Sequence, residues 1–167
     1  MIHLIEIYPY KLLCMQLREQ GTEGKCIGIF LTDNARDRQE LLLLDAALIL
    51  DVHDTLNIRD PKAFTEEHGA VVKEFLHKHM DASCLYVCCD SGQSRSAALA
   101  AAIVRYFGGD DLFIWEDPKY HPNTLVYTRQ LAALGMTVHR EELEQLSKIS
   151  DNALRDAIRR SRKAESD

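Results

Sequence analysis

Long apolar runs are absent from the sequence: none approaches the length needed to span a bilayer, and the N-terminus lacks the basic-then-apolar pattern of an export signal. Positive charge is also in deficit, because 20 Lys and Arg side chains stand against 26 Asp and Glu side chains, for a formal net charge of −6. This deficit argues against binding of nucleic acid or anionic membranes through broad electrostatics. We therefore expect a soluble, cytoplasmic protein that binds neither nucleic acid nor membrane; its oligomeric state stays open.

Paired cysteine patterns are absent, which excludes two common uses of the residue. The number is odd and no export signal precedes it, so a disulfide framework is not expected. The spacing contains no pair typical of metal ligands, so a metal site is not expected. The five cysteines are Cys14, Cys26, Cys84, Cys88 and Cys89.

No low-complexity linker or internal repeat divides the chain, whose 167 residues, 46% of them hydrophobic, suffice for one domain with a sizeable core. Short apolar runs alternate with helical patterns, which predicts an α/β fold: a single domain with a mostly parallel central sheet flanked by helices on both faces. The apolar run at residues 25–31 is expected to end at residues 32–34 in a turn or a helix cap. The predicted strands lie at residues 2–7, 25–31, 46–52 and 84–88, and the predicted helices at 10–20, 64–80, 94–107 and 124–134.

The chain is organised around residues 84–107, where a short apolar run meets a small polar loop and then an alanine-rich run. The apolar run predicts a buried strand, and the alanine-rich run predicts a helix that begins near Ser94. A loop of about six residues at a helix N-terminus offers converging backbone N–H groups and the positive end of the helix dipole. We therefore expect an anion to bind in this loop.

Two side chains give the loop chemistry beyond binding. Cys89 opens it and Arg95 closes it, in the pattern Cys-x5-Arg, and Ser96 follows. The helix N-terminus, the N–H groups and the guanidinium all favour the thiolate of Cys89, which would then be a nucleophile near neutral pH. Arg95 offers a planar fork of donors that matches two oxygens of a phosphoryl group. Ser96 can donate a hydrogen bond to the sulfur, and Gly92 permits a turn in which a side chain would clash.

The run from Cys89 to Ser96, Cys-Asp-Ser-Gly-Gln-Ser-Arg-Ser, resembles the signature loop of the cysteine-dependent protein tyrosine and dual-specificity phosphatases. A second run, from His121 to Leu131, is similar to the Pro-Asn helix of the dual-specificity branch. The resemblance implies a phosphatase-like fold and hydrolysis of phosphomonoesters through a phosphocysteine intermediate, without a cofactor. The implied partner is a protein carrying phosphotyrosine or phosphoserine/threonine, or a small phosphomonoester. The implied phosphate-binding residues are Asp90, Ser91, Gly92, Gln93, Ser94 and Arg95.

Asn123, within the second run, has two expected roles. Its side chain is of a type that caps helices, so it is predicted to begin the helix at residues 124–134. The resemblance further implies that the turn containing Asn123 supports the phosphate loop.

Cys88 departs from the family pattern, which usually has His before the nucleophile. We expect Cys88 to be a buried structural residue; the alternative is a thiol that protects Cys89 by forming a disulfide with it. The departure keeps open a second function, a catalytically weak pseudophosphatase that binds phosphate. A rhodanese-like sulfurtransferase is a third possibility, although Arg95, Ser96 and the Pro-Asn helix favour phosphate.

A phosphatase of this kind needs a general acid to protonate the leaving oxygen, and the loop after the third predicted strand supplies three candidates. Asp54 is the first choice, because it lies just past the strand and because the pair His53-Asp54 resembles the acid loop of bacterial members of the family. Asp60 is the second, since it precedes Pro61 in a loop, where it could instead cap the next helix. Asp51, at the end of the strand, is the third.

The organisation of the whole chain follows from these assignments. We expect residues 1–140 to form the catalytic domain, and residues 141–167 to form a C-terminal helical extension that packs on it or trails from it. Two amphipathic helices are predicted in that extension, at residues 141–148 and 152–163. In the helix at 64–80, the residues predicted to face the core are Ala70, Val71, Phe75, Leu76 and Met80.

Overall fold

The computed structural model describes residues 2–32 and 39–164. Its strands are β1 (Leu4–Pro9), β2 (Cys26–Leu31), β3 (Ala46–Leu50) and β4 (Cys84–Cys89). They form one sheet in the order β1-β4-β2-β3, and every pairing is parallel. The predicted α/β fold with a parallel central sheet is therefore confirmed, whereas residues 33 and 34 of the turn or cap expected at residues 32–34 lie outside the described residues.

Helices cover both faces of the sheet. The helix α1 (Tyr10–Gln20) and a short 3-10 helix (Glu40–Leu43) pack on one face, where Leu13 and Leu17 meet the sheet residues Phe30 and Cys88. The opposite face is covered by α2 (Glu66–Lys78) and α3 (Arg95–Tyr106), on which α5 (Thr124–Ala133) packs, and its core includes Cys89. The remaining helices are α4 (Leu112–Glu116) and α6 (Arg140–Ala164).

The strand β4 lies in the interior of the sheet, and its register determines where the loop emerges. Pro9 of β1 and Leu31 of β2 both pair with Cys89, one from each side. All six residues of β4 are buried, as expected for a parallel strand covered on both faces. The helix α3 packs on it through an alanine-rich stretch in which residues 95–103 are all buried. The loop between β4 and α3 is thus held at the carboxyl end of the sheet.

The face of α2 that meets the core differs from the prediction. Val71 and Met80 are 43% and 36% exposed, and Ala70 is exposed as well. The buried residues are Gly69, Val72 and Leu76. A Cβ on Gly69 would lie 2.7 Å from the Cβ of Ala133, so close packing against α5 determines which side of α2 turns inward. The prediction is confirmed for Leu76, which is fully buried, and for Phe75, which packs against the core, but it is wrong for the other three residues. It missed Gly69 because glycine contributes nothing to an apolar pattern.

The C-terminal region forms one helix where two were predicted. The helix α6 continues through residues 149–151, and Ser150 is buried in its middle. The Ser150 hydroxyl donates to the carbonyl oxygen of Tyr120 at 3.1 Å, so this polar residue docks the helix instead of interrupting it. No helix within residues 2–32 and 39–164 is long and apolar enough to cross a membrane.

Candidate active site

Residues 89–95 form a loop that only a glycine at position 92 can complete. Gly92 has a φ of +68°, in the left-handed region that favours glycine. A Cβ at this position would lie 2.4 Å from the backbone nitrogen of Pro9 and 2.7 Å from the carbonyl carbon of Tyr8. The loop therefore packs directly on the end of β1, and the role expected for Gly92 is confirmed.

Cys89 ends β4, and its sulfur lies beneath the loop. The Ser96 Oγ is 3.1 Å from the sulfur, and the Ser91 Oγ is 4.0 Å from it. Burial by itself raises the pKa of the Cys89 thiol, but the hydroxyl and N–H of Ser96, the charge of Arg95 and the N–H of Gly92 outweigh burial, so that the pKa is lowered. Cys89 thus has the surroundings of a reactive thiolate.

Cys88, the adjacent residue, has the opposite surroundings. Its side chain points to the other face of the sheet, where it packs with Leu13, Leu17 and Phe30. Burial raises its pKa well above the ordinary value. All five cysteines are free, and the expectation that Cys88 is a buried structural residue is confirmed.

Arg95 begins α3 and is only 6% exposed. One terminal nitrogen, Nη1, donates to the carbonyl oxygen of Val52 at 2.6 Å, and the other, Nη2, donates to Oδ2 of Asp90 at 2.5 Å. The Nε atom is buried without a hydrogen-bond partner among the described residues. A buried N–H of a guanidinium is costly to leave unpaired, which suits a position that receives an anionic ligand.

Asp54 lies at the rim of the loop. Its Oδ1 accepts hydrogen bonds from the Ser94 hydroxyl and from Nδ2 of Asn123, both at 2.8 Å. Ser94 is the residue that precedes Arg95, so these contacts tie the carboxylate to the loop itself. The side chain of Asp54 is otherwise exposed and open to a substrate.

The other two candidate acids point elsewhere. Asp60 accepts a hydrogen bond from the backbone N–H of Lys62 at 2.9 Å and pairs with Nδ1 of His53 at 3.2 Å. The Lys62 N–H and, after it, His53 hold the pKa of Asp60 below its ordinary value, which disfavours proton donation. Asp51 pairs with the Lys62 ammonium at 2.8 Å. Of the three, only Asp54 has contacts to the loop.

The segment before α5 supports the loop, as the family resemblance implies. The N–H of His121 donates to the carbonyl oxygen of Gln93 at 2.9 Å, and the N–H of Asn123 donates to that of Ser94 at 3.3 Å. Asn123 also caps α5, because its Oδ1 accepts from the N–H groups of Leu125 and Val126. Both roles expected for Asn123 are confirmed.

Two further contacts at the site were not anticipated from the sequence. Thr32, just past β2, donates from its hydroxyl to Oδ1 of Asp90 at 2.6 Å. The carbonyl oxygen of Val52, just past β3, holds Arg95. A signal for both existed, since parallel strands bring their carboxyl ends to one edge of the sheet, where Thr32 and Val52 each follow a strand.

The site as a whole can bind an anion and attack it. A thiol with a lowered pKa, a buried guanidinium with an unpaired N–H, and an exposed carboxylate meet at one edge of the sheet. Across the two described ranges, no group of three or more His, Cys, Asp or Glu side chains could hold a metal ion.

Among known proteins, similarity to this chain was found in solved structures and not in protein families or curated sequences. No family model matches the chain, and no curated protein sequence matches it. The chain is similar to PTPMT1, solved in complex with PI(5)P, at 15% identity and a TM-score of 0.42, over 93% of this chain and 95% of that one. It is similar to Tk-PTP in its active form at 13% identity and a TM-score of 0.41, over 88% and 90% of the two chains.

A third similar structure is a cysteine-to-serine variant of P. aeruginosa TpbA in complex with pTyr, at 16% identity and a TM-score of 0.42, over 89% and 86% of the two chains.

Proposed function

We propose that this chain hydrolyses phosphomonoesters through a phosphocysteine intermediate on Cys89. One observation carries the proposal: a thiol whose pKa is lowered shares a loop with a guanidinium whose Nε is buried and unpaired. The thiolate supplies a nucleophile, and Arg95 supplies a donor for a phosphoryl oxygen. Because the sulfur is buried beneath the loop, the phosphoryl group has to enter the loop to reach it.

In the first step, the Cys89 thiolate attacks phosphorus and forms a P–S bond while the bond to the leaving oxygen breaks. Asp54, protonated, transfers its proton to that oxygen, so the leaving group departs as an alcohol or phenol. The contacts of Asp54 with Ser94 and Asn123 support this role, because they hold the carboxyl group beside the loop. Arg95 and the backbone N–H groups of the loop residues from Asp90 to Ser94 bind the phosphoryl oxygens.

In the second step, water attacks phosphorus and the P–S bond breaks, which releases inorganic phosphate and the thiolate. Asp54, now ionised, accepts a proton from the water. The Ser96 hydroxyl, 3.1 Å from the sulfur, donates to the departing thiolate and stabilises its charge. The chain ends the cycle in its starting protonation state once Asp54 holds the proton again.

We propose phosphotyrosine or phosphoserine/threonine on protein as the substrate. The surface around Asp54 is open, and a depression there is lined by Leu56, His121 and Pro122, whose apolar and planar side chains suit contact with an aryl or alkyl leaving group. The leaving group of a phosphoprotein remains attached to a bulky chain, which an exposed rim accommodates.

The test is hydrolysis of p-nitrophenyl phosphate and of phenyl phosphate, with reductant and chelator present, by wild type, Cys89→Ser, Asp54→Ala and Asp60→Ala. Wild type is expected to turn over both, and Cys89→Ser neither. Asp54→Ala is expected to slow phenyl phosphate by roughly 10²-fold to 10⁴-fold and p-nitrophenyl phosphate far less, because the better leaving group needs little protonation. Asp60→Ala is the matched control for Asp54→Ala, and Cys88→Ala is the matched control for the nucleophile.

Two outcomes would contradict the proposal. If wild type binds phosphate or vanadate without turnover, the chain is a pseudophosphatase that binds phosphate. If thiosulfate leaves a persulfide on Cys89 and no phosphate ester is hydrolysed, the chain is a sulfurtransferase. Equal, small losses in Asp54→Ala on both substrates would remove Asp54 from the role of acid while leaving the phosphatase reaction intact.

A further inference from the structure

The carboxylate of Asp90 stands inside a loop that is otherwise suited to an anion. Both of its oxygens are engaged by protein donors: Oδ1 accepts from the Thr32 hydroxyl at 2.6 Å, and Oδ2 accepts from Nη2 of Arg95 at 2.5 Å. The side chain is 34% exposed, so it is held against the protein instead of extending into solvent. A carboxylate beside the nucleophile would repel an incoming anion, so its position in the loop needs a physical explanation.

Thr32 explains how the carboxylate is held. It follows β2 and is 2% exposed, and the preceding Leu31 pairs with Cys89 in the sheet. The hydroxyl that reaches Asp90 is thus mounted on the rigid edge of the sheet, one strand away from the loop. An acceptor anchored in this way has a defined position before any ligand arrives.

Arg95 is the group that this arrangement orients. Val52 holds Nη1 from the end of β3, and Asp90 holds Nη2 from within the loop. Two fixed acceptors on different elements set both the position and the plane of a guanidinium, because its five donors have a rigid geometry. The Nε atom is left without a partner among the residues that the structure describes.

We propose that Asp90 is a positioning residue, which together with Thr32 and Val52 holds the Arg95 guanidinium so that Nε is reserved for a phosphoryl oxygen. The inference rests on the proposed function and adds to it the residue that prepares Arg95. The Asp90 side chain itself does not contact the phosphoryl group. Its charge is matched by Arg95, and the hydrogen bonds to it keep the carboxylate away from the incoming anion.

The opposite role for Asp90 predicts effects of opposite sign. If the carboxylate competed with the substrate for Arg95, its removal would free a donor and strengthen phosphate binding. If it positions Arg95, its removal releases Nη2, the guanidinium loses its orientation, and phosphate binds more weakly. Binding of inorganic phosphate therefore decides between the two roles without requiring turnover.

The experiment measures how inorganic phosphate protects Cys89 from iodoacetamide in wild type, Asp90→Ala and Thr32→Val, with kcat and KM for p-nitrophenyl phosphate measured in parallel. We expect Asp90→Ala to weaken phosphate binding and to lower kcat/KM by about tenfold or more, since a charge-assisted hydrogen bond is lost from Arg95. Thr32→Val keeps the charge but removes the anchor, and it is expected to shift both quantities in the same direction by a smaller factor.

A matched control is Asp81→Ala, which breaks an exposed ion pair with Lys25 at the opposite end of the sheet and is expected to change neither quantity. The pH at which Cys89 alkylation reaches half its maximal rate reports on whether the loop is intact. In Asp90→Ala this midpoint stays at the wild-type value, or moves to lower pH, if only the orientation of Arg95 has changed. If the midpoint in Asp90→Ala equals that of an ordinary thiol, the loop has lost its structure in that variant. The effect of Thr32→Val on phosphate binding then decides whether Asp90 positions Arg95.

Each remaining result is decisive. Stronger phosphate binding in Asp90→Ala would overturn positioning in favour of competition, and unchanged binding in both variants would leave Asp90 without a role at Arg95. If phosphate fails to protect wild-type Cys89, the proposed function falls together with this inference. If it protects wild type and both variants equally, only the inference about Asp90 falls.

Discussion

Cys88 and Cys89 are identical residues side by side, and their surroundings give them different chemistry. Successive side chains of β4 point to opposite faces of the sheet. The Cys88 side chain lies in an apolar cluster, where burial raises its pKa. The Cys89 side chain faces α3, where hydrogen bonds and the charge of Arg95 lower its pKa despite burial. A buried thiol remains protonated unless specific donors face it. The Ser96 hydroxyl is such a donor, and its effect can be isolated.

Ser96→Ala is expected to raise the pKa of Cys89, because it removes the hydroxyl at 3.1 Å that stabilises the thiolate. In wild type the pKa is lowered, so the rate of alkylation by iodoacetamide should reach half its maximum at a lower pH than for an ordinary thiol. In Ser96→Ala this midpoint should move to higher pH, and peptide mass spectrometry can assign the adduct to Cys89.

Ser91→Ala provides the matched control, since its hydroxyl lies 4.0 Å from the same sulfur and should have a much smaller effect. An unchanged midpoint in Ser96→Ala would mean that backbone N–H groups and Arg95 alone sustain the thiolate.

At the scale of elements, α5 is joined to the loop at residues 89–95 through the residues that immediately precede the helix. The Asn123 side chain performs two tasks at once: its oxygen caps α5, and its nitrogen donates to Asp54 and to the carbonyl oxygen of Thr55. The helix N-terminus and the position of the proposed acid thus depend on one amide group. A suitable pair of substitutions separates these two tasks.

Asn123→Ala is expected to lose both the cap and the donor to Asp54, whereas Asn123→Ser keeps a capping oxygen but loses that donor. The first change should lower the free energy of unfolding by about 1 kcal/mol, measured by urea denaturation, and the second by less. Both variants should reduce kcat for phenyl phosphate more than for p-nitrophenyl phosphate, because Asp54 is no longer held beside the loop.

Thr65→Ala removes the cap of α2 instead, and serves as the control for the cost of losing a cap. It should lower stability by a similar amount while leaving the ratio of the two kcat values unchanged. If Asn123→Ser keeps the wild-type ratio, Asp54 does not need the amide in order to act.

For the whole molecule, the question is where the compact domain ends. The first half of α6 is attached by the buried side chain of Leu146, by the hydrogen bond from Ser150 to Tyr120, and by the ion pair between Arg105 and Glu142 at 2.5 Å. Beyond Ser150 every described side chain of α6 is exposed or only partly buried. We infer that the first half of α6 is part of the compact domain and that the second half trails from it.

Two truncations test this division of the chain. Removal of residues 151–167 should change the free energy of unfolding by less than about 1 kcal/mol, because few contacts are lost. Removal of residues 140–167 should cost more than about 3 kcal/mol, because it uncovers apolar surface and removes Glu142, the carboxylate that pairs with Arg105. Equal stability of the two truncated forms, measured by thermal or urea denaturation, would show that α6 contributes nothing to the domain.

What could be predicted from the sequence depends on residues that are close together in the chain. The strand, the loop and the helix around Cys89 and Arg95, the need for Gly92 and the cap at Asn123 all follow from local propensities and spacing. The alternation of these patterns was also sufficient for the fold class. Such features are decided within a few residues, so they can be derived without knowledge of the rest of the molecule.

Contacts between distant segments required the tertiary structure. Three aspartates follow β3, and the sequence could only rank Asp54 above the other two. The hydrogen bonds that Asp54 accepts from Ser94 and Asn123 depend on how the segment before α5 packs against the loop. The bond from Thr32 to Asp90 depends on β2 lying beside β4, and the inward side of α2 depends on how closely Gly69 approaches Ala133. Each of these contacts joins residues far apart in the chain, and its geometry is determined when the sheet and helices pack together.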